Sequence, residues 1–122
     1  MNKTKTILIT GSSKGIGFNL ANAFLKEGHT VVISGRNQDS LNAAFHTLSS
    51  RYSPTQLHAI NCDVSQHEEV QNLWNVAVER FGKVDIWINN AGSCTAALDF
   101  IDIPAIEIQN TIQTNVIGSL IC

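Results

Sequence analysis

The chain begins with an apolar run, Ile7-Leu8-Ile9, that leads without interruption into Thr10-Gly11-Ser12-Ser13-Lys14-Gly15-Ile16-Gly17. Apolar residues then recur at helical spacing, at Ile16, Leu20, Ala23 and Phe24. Few folds accept that order. A strand with apolar residues on successive positions is covered on both faces, which points to a parallel sheet between layers of helices. A glycine turn between such a strand and a helix aims the free N–H groups of the first turn, and the positive end of the helix, at one point in space. A pyrophosphate satisfies that point. Side chains on Gly11, Gly15 or Gly17 would hold the ligand away, block positive φ, or separate the helix from the sheet.

The same alternation continues downstream. The pattern predicts strands over residues 6–10, 30–34, 57–61 and 84–88. Between them, Leu41, Ala44, Phe45 and Leu48 form one amphipathic stripe, and Val70, Leu73, Trp74, Ala77, Val78 and Phe81 another. Gly28 and Gly82 are placed to end helices, and Ser65 with Glu68 has the form of a capping box. Asn89-Asn90-Ala91-Gly92 reads as a turn, residues 93–103 as a loop, and Ile108, Ile112, Val116 and Leu120 beyond Pro104 as a last helix. The order is βαβαβαβα. The expected fold is therefore α/β, a Rossmann-type doubly wound parallel sheet of about four strands, truncated, with helices on both faces and one domain over residues 1–122.

Composition excludes several classes of function. The formal net charge is -2 and the eight Lys and Arg residues are scattered, so no basic stripe is available for nucleic acid. Cys62, Cys94 and Cys122 lie far apart, with no C-x-x-C pair and no histidine completing a zinc set, so reduced thiols and no metal are expected. His29, His46, His58 and His67 show no spacing for metal binding or nucleophilic catalysis. Trp74 reads as a core residue and Trp87 as packing in a buried strand. No signal-peptide core, transit sequence or membrane-length apolar run is present, which makes the cytoplasm the expected location.

Which nucleotide the turn would hold is argued from the end of the second strand. NAD-preferring enzymes place an acid there to bond the adenosine ribose. This chain has Gly35-Arg36-Asn37 instead. Without that carboxylate nothing repels a 2′-phosphate, while Arg36 offers a forked donor and Lys14 a second cation. NADP(H) is expected over NAD(H). Two solvated surface cations are the plain alternative. A methyltransferase-like Rossmann domain also uses a glycine loop, but it too wants an acid where Gly35-Arg36 stands.

At this point the chain resembles the short-chain dehydrogenase/reductase family, over essentially its whole length. Thr10-Gly11-x-x-x-Gly15-x-Gly17 is similar to the family's cofactor loop, and Asn89-Asn90-Ala91-Gly92 to its second signature. Asp63-Val64 matches the pair after the third strand, where the resemblance implies a carboxylate at the adenine. Asn115, in Thr114-Asn115-Val116-x-Gly118, matches the family's active-site asparagine. The resemblance thus implies cofactor contacts from residues 10–17, Arg36, Asn37, Asp63, Val64, Asn90, Ala91 and Gly92, and a catalytic role for Asn115. It also implies homo-oligomers for full-length members. Residues 85–92 and 114–122 resemble in particular the chlorophyll(ide) b reductase branch, which would imply reduction of a formyl group.

Each residue also has a plain structural reading. Asn90 and Gly92 could form only a turn, Asp63 could cap the next helix, and Asn115 could be a polar helix residue. The family's proton donor is a tyrosine followed four positions later by a lysine, and its partner is a serine at the end of a later strand. The chain's one tyrosine, Tyr52, has no lysine at that spacing, and neither Ser93 nor Ser119 matches the serine. Two expectations therefore stand side by side. One is the cofactor-binding N-terminal portion of an NADP(H)-dependent reductase, and the other a nucleotide-binding remnant without turnover.

Overall fold

The computed structural model describes residues 4–91. The elements are β1 (Thr6–Ile9), α1 (Gly15–Lys26), β2 (Thr30–Gly35), α2 (Gln38–Ser49), β3 (Leu57–Asn61), α3 (His67–Phe81) and β4 (Ile86–Ile88). All pairings are parallel, and the sheet order is β3-β2-β1-β4. The expected α/β sheet with helices on both faces is thus present. Gly92, Cys94, Asn115, Cys122 and the elements expected after residue 92 lie outside the described residues.

The side-chain period of the strands explains both layers. Ile7, Ile9, Val31, Ile33 and Leu57 point to one face, where they bury Ala21 and Leu25 of α1 and Leu41, Ala44 and Leu48 of α2. Leu8, Val32 and Ile60 point to the other face and cover Val70, Leu73 and Ala77 of α3. Leu8, Ile9, Val31, Val32 and Ile33 are fully buried, the condition their unbroken apolar run required.

After β1 the chain crosses to β2 on one side, and β4 returns on the other side of β1. The loops after β1 and β4 therefore diverge from neighbouring strands and leave a crevice at their carboxyl ends.

Two local expectations are overturned in α3. Ser65 and Glu68 form no capping box. The helix begins at His67 with Gln66 as its N-cap and no side-chain cap bond. Asp63 competes for the serine: its carboxylate accepts from the Ser65 amide at 3.0 Å and from the Ser65 hydroxyl at 2.7 Å. The hydroxyl therefore serves a turn and is lost to the helix. It is Glu69, not Glu68, that reaches back, accepting from the Asp63 amide at 3.1 Å. Trp74 is not a core residue either. The sheet-facing stripe is Val70, Leu73 and Ala77, one residue round the helix, and Trp74 is 42% exposed, tilted against Trp87 with ring centroids 6.1 Å apart.

Candidate functional site

The loop after β1 is shaped by contacts to the protein as much as by any ligand. Gly11 lies at φ +60, and a Cβ there would stand 2.6 Å from the Cα of Ala91. Thr10 is 1% exposed. Its hydroxyl accepts from the amides of Asn90 and Ala91, both at 3.0 Å, and donates to the Ile88 carbonyl at 3.3 Å. Ser12 is fully buried; its hydroxyl donates to the Ile9 carbonyl at 2.8 Å and accepts from the Ser34 amide at 2.9 Å, tying the loop to β2. Gly17 allows the closest approach: a Cβ would meet Asn90 Nδ2 at 2.5 Å and the Gly11 carbonyl oxygen at 2.8 Å. Asn90 completes the lock by donating to that same carbonyl at 3.0 Å. Thr10, Ser12 and Gly17 hold the loop's shape from within.

What the lock presents outward is the start of α1. Lys14 is its N-cap but makes no side-chain cap bond, and no acidic residue lies in the first turn. Among the described residues the amides of Ser13, Lys14, Gly15, Ile16 and Gly17 have no protein acceptor. The other two helices are treated differently: Asn37 caps α2 with Asp39 in its first turn, and Glu68 and Glu69 flank the start of α3. Gly15, at φ +64, has nothing within 4 Å of a notional Cβ, so the space over this helix end is open. An uncompensated helix dipole with free amides facing open space is a site for an anion.

This end of α1 opens on a cleft of about 760 Å³ along the carboxyl ends of all four strands. The first loop contributes Gly11, Ser13, Lys14 and Ile16 to its wall, and Ile16 is 73% exposed there. The end of β2 contributes Gly35, the loop after it Arg36 and Asn37, and the first turn of α2 Ser40; β3 is followed by Cys62, Asp63 and Val64, and β4 by Asn90 and Ala91. Of the residues expected from sequence, ten line one cleft: Gly11, Ser13, Lys14, Ile16, Arg36, Asn37, Asp63, Val64, Asn90 and Ala91. Thr10, Ser12 and Gly17 sit behind its wall, and Gly15 lies at the mouth of a shallower groove between α1 and α2.

Two cations, Lys14 and Arg36, line this cleft without an ion-pair partner among the described residues. Among the described residues the one ion pair is Lys83 with Asp85, neither of which lines the cleft; the carboxylate that does line it, Asp63, forms no ion pair with Lys14 or Arg36. Asn37 turns out to be chiefly a helix cap, accepting from the Ser40 amide at 2.9 Å, so its carboxamide oxygen is occupied. Asp63 lines the cleft, and its Oδ1 is held by Ser65. Sequence reasoning passed over Ser40 and Cys62 as lining residues, and took Gly35 only as the place of a missing acid. Ser40 was legible as a first-turn residue following β2, and Cys62 as the neighbour of Asp63; neither belongs to a motif.

A nicotinamide dinucleotide fits this set: free amides and open space for the pyrophosphate at Ser13 to Gly17, cations and hydroxyls beside β2, and a carboxylate after β3. The family model described as short chain dehydrogenase matches residues 5–122. The chain belongs to the short-chain dehydrogenase family. A chloroplastic chlorophyll(ide) b reductase of Oryza sativa subsp. japonica is 37% identical over 95% of this chain, but this covers 34% of that protein. An NADPH-dependent pterin aldehyde reductase of Arabidopsis thaliana is 38% identical over 93% of this chain and 46% of its own. Among solved structures, ElxO with NADP bound superposes with a TM-score of 0.83 at 32% identity, over 98% of this chain and 48% of that one. A 3-ketoacyl-(acyl-carrier-protein) reductase from Brucella melitensis complexed with NADH gives 0.85 at 29% identity, over 96% and 46%. The chain thus spans about a quarter to a half of the length of the proteins it matches. Among the described residues no helix is long and apolar enough to cross a membrane.

Proposed function

We propose that this chain is the cofactor-binding portion of an oxidoreductase that uses NADP(H) in preference to NAD(H) to interconvert a carbonyl and a hydroxyl. The observation that carries the reading is that Lys14 and Arg36, from two different loops, line one cleft with no carboxylate partner among the described residues. When bound, NADPH supplies the hydride. The chain's own residues bind and orient it: the Ser13 to Gly17 amides at the pyrophosphate, Arg36 and Lys14 at the 2′-phosphate, and Asp63 at the adenosine end. Asn90 and Thr10 keep the loop from relaxing, so little ordering remains to be done on binding. Asn115, by family resemblance, is the residue of this chain closest to the chemistry.

The substrate reading is a formyl carbonyl. It rests on relatives whose names specify chlorophyll(ide) b and a pterin aldehyde. Homo-oligomerisation belongs to the same proposal and rests on the family.

The test is a fluorescence titration with NADPH, NADH and S-adenosylmethionine side by side. NADPH should bind tightest. Arg36→Ala removes charge-assisted hydrogen bonds of about 1.5–3 kcal/mol, so NADPH affinity should fall about 10- to 100-fold with NADH little changed. Tighter binding of NADH than NADPH by the unaltered chain would refute the reading.

A second reading, nucleotide binding without turnover, is favoured by Tyr52. Its hydroxyl donates to Asn22 Oδ1 at 2.9 Å, away from the cleft, so the chain's one tyrosine is not placed as a proton donor. Binding of NADPH without oxidation in the presence of a panel of aldehydes would support this second reading.

A further inference from the structure

Arg36 is presented to the cleft from a short, exposed stretch between the end of β2 and the first turn of α2. A long side chain there selects a phosphate only if its backbone is held. The hold comes from β3. The carboxamide of Asn61 donates from Nδ2 to the Gly35 carbonyl at 3.1 Å and to the Arg36 carbonyl at 3.0 Å. The Gly35 carbonyl is independently secured by the Cys62 amide at 3.0 Å, a continuation of the parallel ladder. The Arg36 carbonyl has no such second bond: among the described residues, Asn61 is its partner. Asn61 itself is exposed and does not line the cleft, so it is not placed to touch a cofactor.

We propose that Asn61 is a positioning residue that sets the choice between NADP(H) and NAD(H) by fixing the peptide from which Arg36 reaches the 2′-phosphate. This rests on the NADP(H) reading above. The bracket lies at the one point where fixing pays. Downstream of Arg36, α2 is already secured by Asn37, which caps the Ser40 amide with its side chain and takes the Leu41 amide with its carbonyl. Upstream, Gly35 is in the ladder. Between them the Arg36 peptide has one anchor, and freeing it lets the guanidinium sample positions off the phosphate. Cofactor contacts made elsewhere in the cleft are untouched by that freedom.

The test measures dissociation constants of NADPH and NADH for the whole chain carrying Asn61→Ala and, to keep the side-chain shape without donors, Asn61→Leu. Asn61 is exposed, so the fold should survive either change. Either variant removes the bonds to both carbonyls, but the Gly35 carbonyl keeps the Cys62 amide, so the loss at the Arg36 carbonyl predicts that the NADPH:NADH preference narrows about fivefold, through weaker NADPH, with NADH affinity held within about twofold. In an Arg36→Ala background the same substitutions should have no further effect on the ratio, because the two residues act through one path. An unchanged ratio in both Asn61 variants, or equal weakening of both cofactors, overturns the role of Asn61 while Arg36→Ala still shifts the ratio. A ratio that does not respond to Arg36→Ala overturns the NADP(H) reading, and this inference with it.

Discussion

Thr10→Val is the sharpest test of the lock between the first loop and the end of β4. Valine matches threonine in shape, so the substitution removes a hydroxyl and little else. Three bonds converge on that hydroxyl, but their losses are not equal. The Ile88 carbonyl keeps the Thr10 amide at 3.1 Å, so it stays satisfied. The amides of Asn90 and Ala91 lose the acceptor they share at 3.0 Å. A buried unsatisfied amide costs about 1–3 kcal/mol, and these two are only part-buried, so the lower end applies and the pair should cost about 2 kcal/mol. Thr10→Ser keeps the hydroxyl and loses one buried methyl, about 1 kcal/mol. Urea denaturation followed by tryptophan fluorescence reads both, since Trp74 on α3 and Trp87 on β4 stand 6.1 Å apart beside the lock. With an m-value of roughly 2 kcal/mol/M, Thr10→Val should lower the midpoint by about 1 M and Thr10→Ser by about half of that. If Thr10→Val proves no more destabilising than Thr10→Ser, shape rather than hydrogen bonding holds this junction and the argument fails.

Gly17→Ala forces a Cβ to 2.5 Å from Asn90 Nδ2 and should cost about 2 kcal/mol of stability. Gly15→Ala, with open space but φ +64, should cost only about 1 kcal/mol in stability yet weaken NADPH binding; equal stability losses from the two would contradict this division. Two groups predict loss of stability in acid. Burial and then Arg80 lower the pKa of His58 from 6.5, so its neutral form is favoured by folding, and stability falls as pH drops through and below that value. His58→Gln should flatten the stability profile as pH falls below about 6.5. The Thr6 amide, aided by Lys83 at 3.2 Å, lowers the pKa of Asp85 from 3.8, so its contribution is complete above that value and lost below it. Asp85→Asn should remove part of the unfolding seen in the most acid range.

The elements were legible in the sequence because their signals are local. Ile7 to Ile9 repeat with no polar break and Leu41, Ala44 and Leu48 fall on one helical stripe, so each segment announces what covers it before any partner is known. Where expectation and structure part, two local signals competed or the deciding partner lay far along the chain. Ser65 had the spacing of a cap, but Asp63, two residues away, offers the same hydroxyl a 2.7 Å bond to a charged oxygen. Trp74 has the right period for the core and sits one residue beyond the face that α3 turns to the sheet. The glycine loop is the more instructive case. From sequence, Thr10, Ser12 and Gly17 belong to a ligand cradle as much as Gly15 does. Their partners are Asn90, Ala91 and Ser34, some 22 to 81 positions away, and no local pattern announces which loop residue will meet them. The motif therefore joins two physical demands in eight residues. Positions facing the sheet must fit a fixed protein surface, and the position over the open helix start, Gly15, must stay empty. A substitution at the first kind acts through folding and at the second kind through binding, although both alter the same signature.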